Sequence, residues 1–321
     1  VPARVGNQSG DSKMMVAFVI LHYLTTEDTV SCIRSILESQ RHSSIQHQLI
    51  VVDNGSPNQS YTVLESELSG KPNVHLLRLE HNEGFARGNN AGFQFAKHRL
   101  HADFIVLLNN DTILDQSDFL FKLDARFREH SFDILAPDIV TPFGVHQNPK
   151  SIRGVTPEKI RQKIHQVRTD IWLVQTGLYN LLIAINRIKY AHRSHFISNR
   201  EEAPSIESPA GTIVPHGSCL IFSPRYVQRF NGLYSGTFLY CEEEILWLFA
   251  EQEKLVVDFF PAIQICHLED RATSAVAKPG RKKRLFKLKH ELDSLLLLSL
   301  LFDHPEILKT DLYDTKSSEG D

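Results

Sequence analysis

Phe104-Ile105-Val106-Leu107-Leu108-Asn109-Asn110-Asp111-Thr112 is the stretch on which the fold turns. Five apolar residues in succession, with β-branched and aromatic members, read as a strand buried on both faces, and the run ends abruptly in two amides and a carboxylate. In open α/β sheets ligands bind beyond the carboxyl ends of the strands, so Asn109, Asn110 and Asp111 stand where a site is expected. One carboxylate beside two amides suits a hard, oxygen-preferring cation such as Mg²⁺ or Mn²⁺ shared with phosphates. A turn or a helix cap is the competing reading of Asn-Asp after a strand.

Working outward, the same pattern recurs upstream. Val16-Ala17-Phe18-Val19-Ile20-Leu21 ends in His22-Tyr23, and Leu49-Ile50-Val51-Val52 ends in Asp53-Asn54-Gly55-Ser56. A shorter run, Val74 to Leu79, leads into Asn82-Glu83-Gly84-Phe85-Ala86-Arg87-Gly88-Asn89-Asn90. Segments compatible with helices separate them: Thr29 to Ser39, Ser60 to Ser69 and Gly88 to His98. Strands alternating with helices predict a parallel sheet with crossover helices, which would set Tyr23, Asp53, Arg87 and Asp111 along one rim. A nucleotidyltransferase would carry a glycine-rich basic loop after the first strand, and His22-Tyr23-Leu24-Thr25-Thr26 is nothing like one. The glycines at 84, 88 and 92 fit neither a Walker nor a dinucleotide-binding spacing.

The order of these motifs resembles the inverting glycosyltransferases of family 2, and within them the rhamnosyltransferase-like branch. The likeness rests on Val51 to Ser56, Asn82 to Asn90 and Leu108 to Asp111, continues at His216-Gly217-Ser218-Cys219-Leu220-Ile221 and Phe238-Leu239-Tyr240-Cys241-Glu242-Glu243, and ends near Ile265-Cys266-His267. It implies an α/β GT-A fold with a mostly parallel, Rossmann-like central sheet flanked by helices, and a helical C-terminal elaboration. It implies an enzyme that moves a sugar from a nucleotide-diphosphate donor, of the dTDP-rhamnose or UDP-hexose type, to a saccharide hydroxyl with Mn²⁺ or Mg²⁺. Bacterial surface or capsular polysaccharide synthesis is the setting it suggests. The alternative is a non-catalytic nucleotide-sugar-binding protein on the same fold.

The resemblance also distributes roles. Asp111 would anchor the metal and His267 occupies the family's second metal-ligand position. Glu243 aligns with the catalytic base, an aspartate in the family, and Glu242 with the glutamate before it. Tyr23 offers an aromatic face near the base, Asp53 an acceptor for a pyrimidine N–H, Gly84 close backbone approach and Arg87 a cation for phosphate or ribose. Asn109 and Asn110 complete the donor side. The chain departs from the family twice: Asn109 stands where the metal motif begins with Asp, and Glu242-Glu243-Glu244 replaces Glu-Asp followed by a hydrophobic residue. Three adjacent carboxylates should raise the pKa of at least one by repulsion, and as the first turn of a helix from Glu242 to Glu251 they also suit its dipole.

Composition agrees with an enzyme of this size. At 321 residues and a formal net charge of −3 the chain can bury a large core and has no general attraction for nucleic acid. Four dispersed cysteines form neither a zinc spacing nor a disulfide framework, which favours the cytoplasm, peripherally at the inner face of the membrane if the C-terminus binds lipid. The expected organisation is a flexible leader over 1–13, a catalytic domain over 14–275 and a basic, Leu-rich helix with a polar tail over 276–321. Within the domain, 14–115 would be the nucleotide-binding half and 116–275 the acceptor half. Thr141 to Gly154 reads as a loop, and Ile160 to Asn186 has helical spacing inside a helical insertion expected over 156–208. His192 and His195 read as solvated surface residues. The segment 281–302, with Arg281-Lys282-Lys283-Arg284 followed by leucines, is too short in uncharged residues to span a bilayer. It would pack on the catalytic domain, form a homodimer contact or lie on anionic lipid. The acceptor is a saccharide that could be lipid-linked.

Overall fold

The computed structural model describes residues 14–152, 154–179, 213–269 and 280–313. The leader over 1–13, much of the insertion with His192 and His195, and the polar tail after 313 lie outside them. Each apolar run becomes a strand: β1 (Met15–His22), β2 (Gln46–Asp53), β3 (Val74–Arg78) and β4 (Phe104–Asn109). The helices between them are α1 (Thr26–Ser39), α2 (Ser60–Leu68) and α3 (Gly84–His98). Helix α3 begins a turn before the expected Gly88. Asn54 Oδ1 and Asn82 Oδ1 accept from the Glu83 and Gly84 N–H groups, so side chains outside the helix cap its first turn.

After β4 come β5 (Thr112–Ile113), α4 (Phe119–Glu129), β6 (Ile134–Val140), α5 (Pro157–Thr176), β7 (Cys219–Phe222), α6 (Pro224–Arg229), α7 (Glu242–Glu253), β8 (Val257–His267), α8 (Arg281–Asp303) and α9 (Glu306–Leu312). The eight strands form one sheet in the order β3-β2-β1-β4-β7-β6-β8-β5. The half formed by β1 to β4 is parallel, as expected. The other half holds the two strands, β5 and β7, that run against the rest of a mostly parallel sheet. There β7 runs antiparallel to β4 and β6, β6 parallels β8, and β5 pairs antiparallel with β8. The fold is thus α/β with a mixed sheet. The chain enters β7 from the side opposite to β4, so Leu108 pairs with Cys219 and the site-bearing end of β4 meets the start of β7.

Strand side chains alternate between two cores. Val16, Phe18 and Ile20 face α1, α2 and α4, while Ala17 and Val19 face α3 and the C-terminal helices. Helix α5 starts where Thr156 Oγ1 accepts from Lys159 N–H and Pro157 fixes the first φ, and it ends at Gly177, whose φ of 81° no side chain adopts cheaply. The helical spacing expected over Ile160 to Asn186 is thus interrupted at Gly177; Leu178 and Tyr179 are helical again, and 180–186 lie outside the described residues. Helix α8 packs on α5 and α7, burying Leu295, Leu298 and Leu301. Of the three roles open to this segment in the sequence, packing on the domain is the one its inner face performs.

Candidate active site

The carboxyl ends of β1, β2 and β4, the β5–β8 pair and the N-terminus of α7 converge on two adjoining cavities. One, of about 570 Å³, is lined by Tyr23, Asn54, Gly84, Asn109, Asn110, Asp111 and His267, and closed by Phe238 and by Lys283, Phe286 and Lys287 of α8. The other, of about 620 Å³, holds Glu242, Glu243, Glu244, Lys150, His216 and Gly217 against an apolar wall of Val155, Ile160, Leu295 and Leu298. Phe85, Asn109, Leu239 and Tyr240 border both. A reacting atom placed at this shared wall would have one partner on each side.

Register explains the first cavity. Thr112 pairs with His267, and Leu268 N–H donates to Asp111 O at 2.9 Å, so Asp111 is held beside the end of β8. Its Oδ1 lies 3.4 Å from His267 Nε2. His267 Nδ1 is 2.8 Å from Gln147 Oε1, and with Nδ1 donating there, the Nε2 lone pair is left facing Asp111. Among the described residues no group of three or more acidic, His or Cys side chains could hold a metal. Asp111 and His267, with the cavity open beside them, could hold a divalent cation whose remaining ligands come from a diphosphate and water.

The donor-side residues divide. Tyr23 and Gly84 reach the wall. Gly84 has φ 83°, and a Cβ there would stand 2.3 Å from Phe238 O, which also accepts from Phe85 N–H at 2.8 Å. Its missing side chain lets the 238–241 turn close on α3. Asp53 is fully buried behind the wall; Oδ1 accepts from Ser56 N–H at 3.1 Å, and Oδ2 has no hydrogen-bond partner among the described residues. Asn110 lines the cavity, but its amide donates to Thr25 Oγ1 at 2.7 Å and Thr29 Oγ1 at 2.9 Å, tying the metal motif to α1. Arg87 lies on neither cavity wall, contrary to expectation. The helical turn carries it to Ser235 O, to which Nε donates at 2.9 Å, and to within 3.7 Å of Glu83.

The second cavity is built on a strained turn. Tyr240 and Cys241 both have positive φ, 75° and 66°, a conformation that costs non-glycine residues energy and occurs where surrounding packing imposes it. Helix α8 supplies that packing: Phe238 stacks on His290 with centroids 4.7 Å apart, and Ser294 Oγ donates to Leu239 O at 2.7 Å. The turn releases the chain into α7, and the three glutamates diverge. Glu242 is buried and accepts from Thr237 Oγ1 at 3.1 Å; burial, with Glu243 beside it, pushes its carboxyl up to about 8. For Glu243 burial also works against the charge, but Lys150 and His216 outweigh it and hold the carboxyl below the usual range. Burial keeps His216 below the ordinary histidine value, and Ser218 N–H donates to its Nδ1 at 3.2 Å. Lys150, which no sequence motif marks, has its Nζ 3.2 Å from Glu243 Oε2 and 2.8 Å from Glu244 Oε1.

The sequence model of Glycosyl transferase family 2 matches residues 18–178, half of the chain. The chain belongs to glycosyl transferase family 2. In this family 2 transferase the motifs at 51–56, 82–90 and 108–111 lie inside the matched region, whereas Glu242 to Glu244, His267 and α8 lie beyond it. Among solved structures it is similar to residues 1–349 of S. aureus TarS, at 13% identity and TM-score 0.48, over 84% of this chain and 68% of that one. It is also similar to the same piece in complex with UDP-GlcNAc, at 14% identity and TM-score 0.48, over 90% and 67%. Against the longer TarS chain the TM-score is 0.47 at 14% identity, over 86% of this chain and 39% of that one. No curated protein matches it.

Proposed function

We propose that this family 2 transferase moves a sugar from a nucleotide-diphosphate donor to a saccharide hydroxyl with inversion at the anomeric carbon. The observation that carries the reading is the shared wall at Phe85, Asn109, Leu239 and Tyr240, with Asp111 and His267 on one side and Glu243 on the other. The donor would lie in the smaller cavity, its base near Tyr23 and its diphosphate near Asp111, with Asp53 buried behind the wall rather than on it. Asp111 and His267, with Asn109 beside them, would hold Mn²⁺ or Mg²⁺, which when bound stabilises charge on the departing diphosphate as a Lewis acid.

The acceptor enters the larger cavity. Glu243 takes the proton of its hydroxyl as the new C–O bond forms opposite the breaking bond to diphosphate. Glu242, largely protonated at neutral pH, keeps a second negative charge away from that base. The resemblance to the rhamnosyltransferase-like branch favours a dTDP-rhamnose or UDP-hexose donor, and a role in bacterial surface polysaccharide assembly in the cytoplasm. A membrane or homodimer contact through 281–302 would use the outer residues Leu296 and Leu300, because the inner face of α8 is already packed.

The test is a screen of radiolabelled UDP- and dTDP-sugars with saccharide acceptors, measuring transfer and nucleoside diphosphate release. Glu243→Gln should retain donor affinity and lose transfer by about 10²–10⁴-fold, the usual contribution of a general base. Normal transfer by this variant removes Glu243 from the mechanism. Donor binding without turnover in the unaltered chain supports the binding-protein alternative.

A further inference from the structure

Glu243 is one methylene longer than the aspartate of the family, and a longer side chain has one more torsion to fix before its carboxylate can meet a hydroxyl. The structure shows both oxygens fixed. Oε1 accepts from Gly217 N–H at 3.1 Å, and a Cβ on Gly217 would stand 2.8 Å from that oxygen, so only glycine lets the carboxylate settle there. Oε2 faces Lys150 Nζ at 3.2 Å, and the same ammonium reaches Glu244 Oε1 at 2.8 Å.

The lysine is itself anchored. Its N–H donates to Val214 O at 2.9 Å, Val214 N–H donates to Ser151 O at 2.7 Å, and the neighbouring Asn148 joins Pro137 O to His216 N–H. The loop carrying Lys150 is therefore tied both to β6 and to the segment that delivers Gly217. Glu244 occupies the place where the family has a hydrophobic residue, and here it is the second counter-ion of Lys150. The extra methylene and the extra carboxylate, two departures that look unrelated in sequence, meet at one ammonium.

We propose that Lys150 and Glu244 are positioning residues that clamp the Glu243 carboxylate against Gly217 in the orientation needed to receive the acceptor proton. The inference rests on Glu243 being the base. Lys150 and His216 favour its charge, while Glu242 and Glu244 oppose it. The Cys241 thiol is pushed up by burial and by these carboxylates, so it stays neutral. On the far wall Lys163 pairs with Glu291 at 3.2 Å, and Lys159 completes the charges of the cavity.

With Lys150 removed, burial prevails and the Glu243 carboxyl titrates at higher pH. The experiment is the pH profile of kcat/KM for Lys150→Met, Lys150→Arg, Glu244→Gln and Glu243→Gln, with UDP and dTDP affinity measured calorimetrically in parallel. Lys150→Met should move the acid limb up by about 1–3 pH units, the range for loss of an adjacent opposite charge. Its kcat should fall by about 10²-fold at neutral pH, as for a misplaced catalytic group, with nucleotide affinity unchanged. Lys150→Arg should restore the acid limb, and Glu244→Gln should lower kcat without raising that limb. Should Lys150→Met fold poorly, the double variant K150M/E244L, which strands one carboxylate fewer, takes its place. An unmoved acid limb, or an arginine variant as impaired as the methionine one, overturns the role of Lys150, and a wild-type kcat in Glu244→Gln overturns that of Glu244. If Glu243→Gln transfers normally, the base assignment itself has failed; if it is inactive while Lys150→Met keeps its acid limb, only the clamp has.

Discussion

Acidification should destabilise this protein through one histidine more than any other described. His22, at the end of β1, is fully buried, with Nδ1 2.7 Å from Thr29 Oγ1 and Nε2 2.9 Å from Ser60 Oγ. Burial lowers its pKa to about 4 from the ordinary 6.5, although Asp53 pulls the other way. The folded pKa is thus depressed below the unfolded one, so between about pH 6.5 and 4 the unfolded chain binds more protons and stability falls as pH falls. At 1.36 kcal/mol per unit the whole difference amounts to about 3 kcal/mol, of which about 2 kcal/mol is lost by pH 5. Urea unfolding followed by tryptophan fluorescence at pH 7.5, 6 and 5, on the unaltered chain and on His22→Gln, isolates the term, because every other histidine is common to both. The variant should be less stable at pH 7.5 yet lose about 2 kcal/mol less on going to pH 5. Parallel pH dependences in the two proteins would refute the assignment of a neutral, hydrogen-bonded His22.

Glu242 should act in the opposite sense. Its folded value of about 8 lies above the unfolded one, so its contribution to stability is lost as pH rises towards and past 8, and Glu242→Gln should flatten the decline between pH 6 and 9. Gly84→Ala places a Cβ 2.3 Å from Phe238 O at φ 83°; a cost of about 2–4 kcal/mol is expected from strain and overpacking, measured by unfolding, together with weaker UDP and dTDP binding. Asp111→Asn should weaken both transfer and its response to Mn²⁺, with His267→Ala milder; a Mn²⁺ titration like that of the unaltered chain would discard Asp111 as a ligand. Leu298→Ala, at a fully buried position of α8, should cost about 2–5 kcal/mol in thermal or chemical unfolding, and an unchanged midpoint would contradict the packing described.

The parallel half of the sheet was readable because strands buried on both faces leave uninterrupted apolar runs that end where solvent begins. The other half was not. Strand β7 is apolar but only four residues long, too short for periodicity to tell it from a buried helical segment, and β6 contains Pro137 and Asp138, at which its register with β8 shifts. The glutamates and His267 were legible only through motif order, since nothing local says that β5 will pair with β8. Arg87 illustrates the reverse: its motif was read, but the first turn of α3 directs it to Ser235. Lys150 lies 93 positions from Glu243, in a stretch legible only as a loop, so its partnership is a fact of tertiary structure.

Helix α8 touches both cavities and braces the strained turn at Tyr240 and Cys241. Almost every other wall of the site is made before residue 270, so during synthesis the chain can assemble its sheet, its Asp111–His267 pair and most of α7 while the pocket stands open on one side. Only the arrival of α8 shuts it and steadies the residues ahead of Glu242. Completion of the site would therefore wait for α8 to dock, and a chain cut before Arg281 would leave the cavity beside Asp111 open to water on that side.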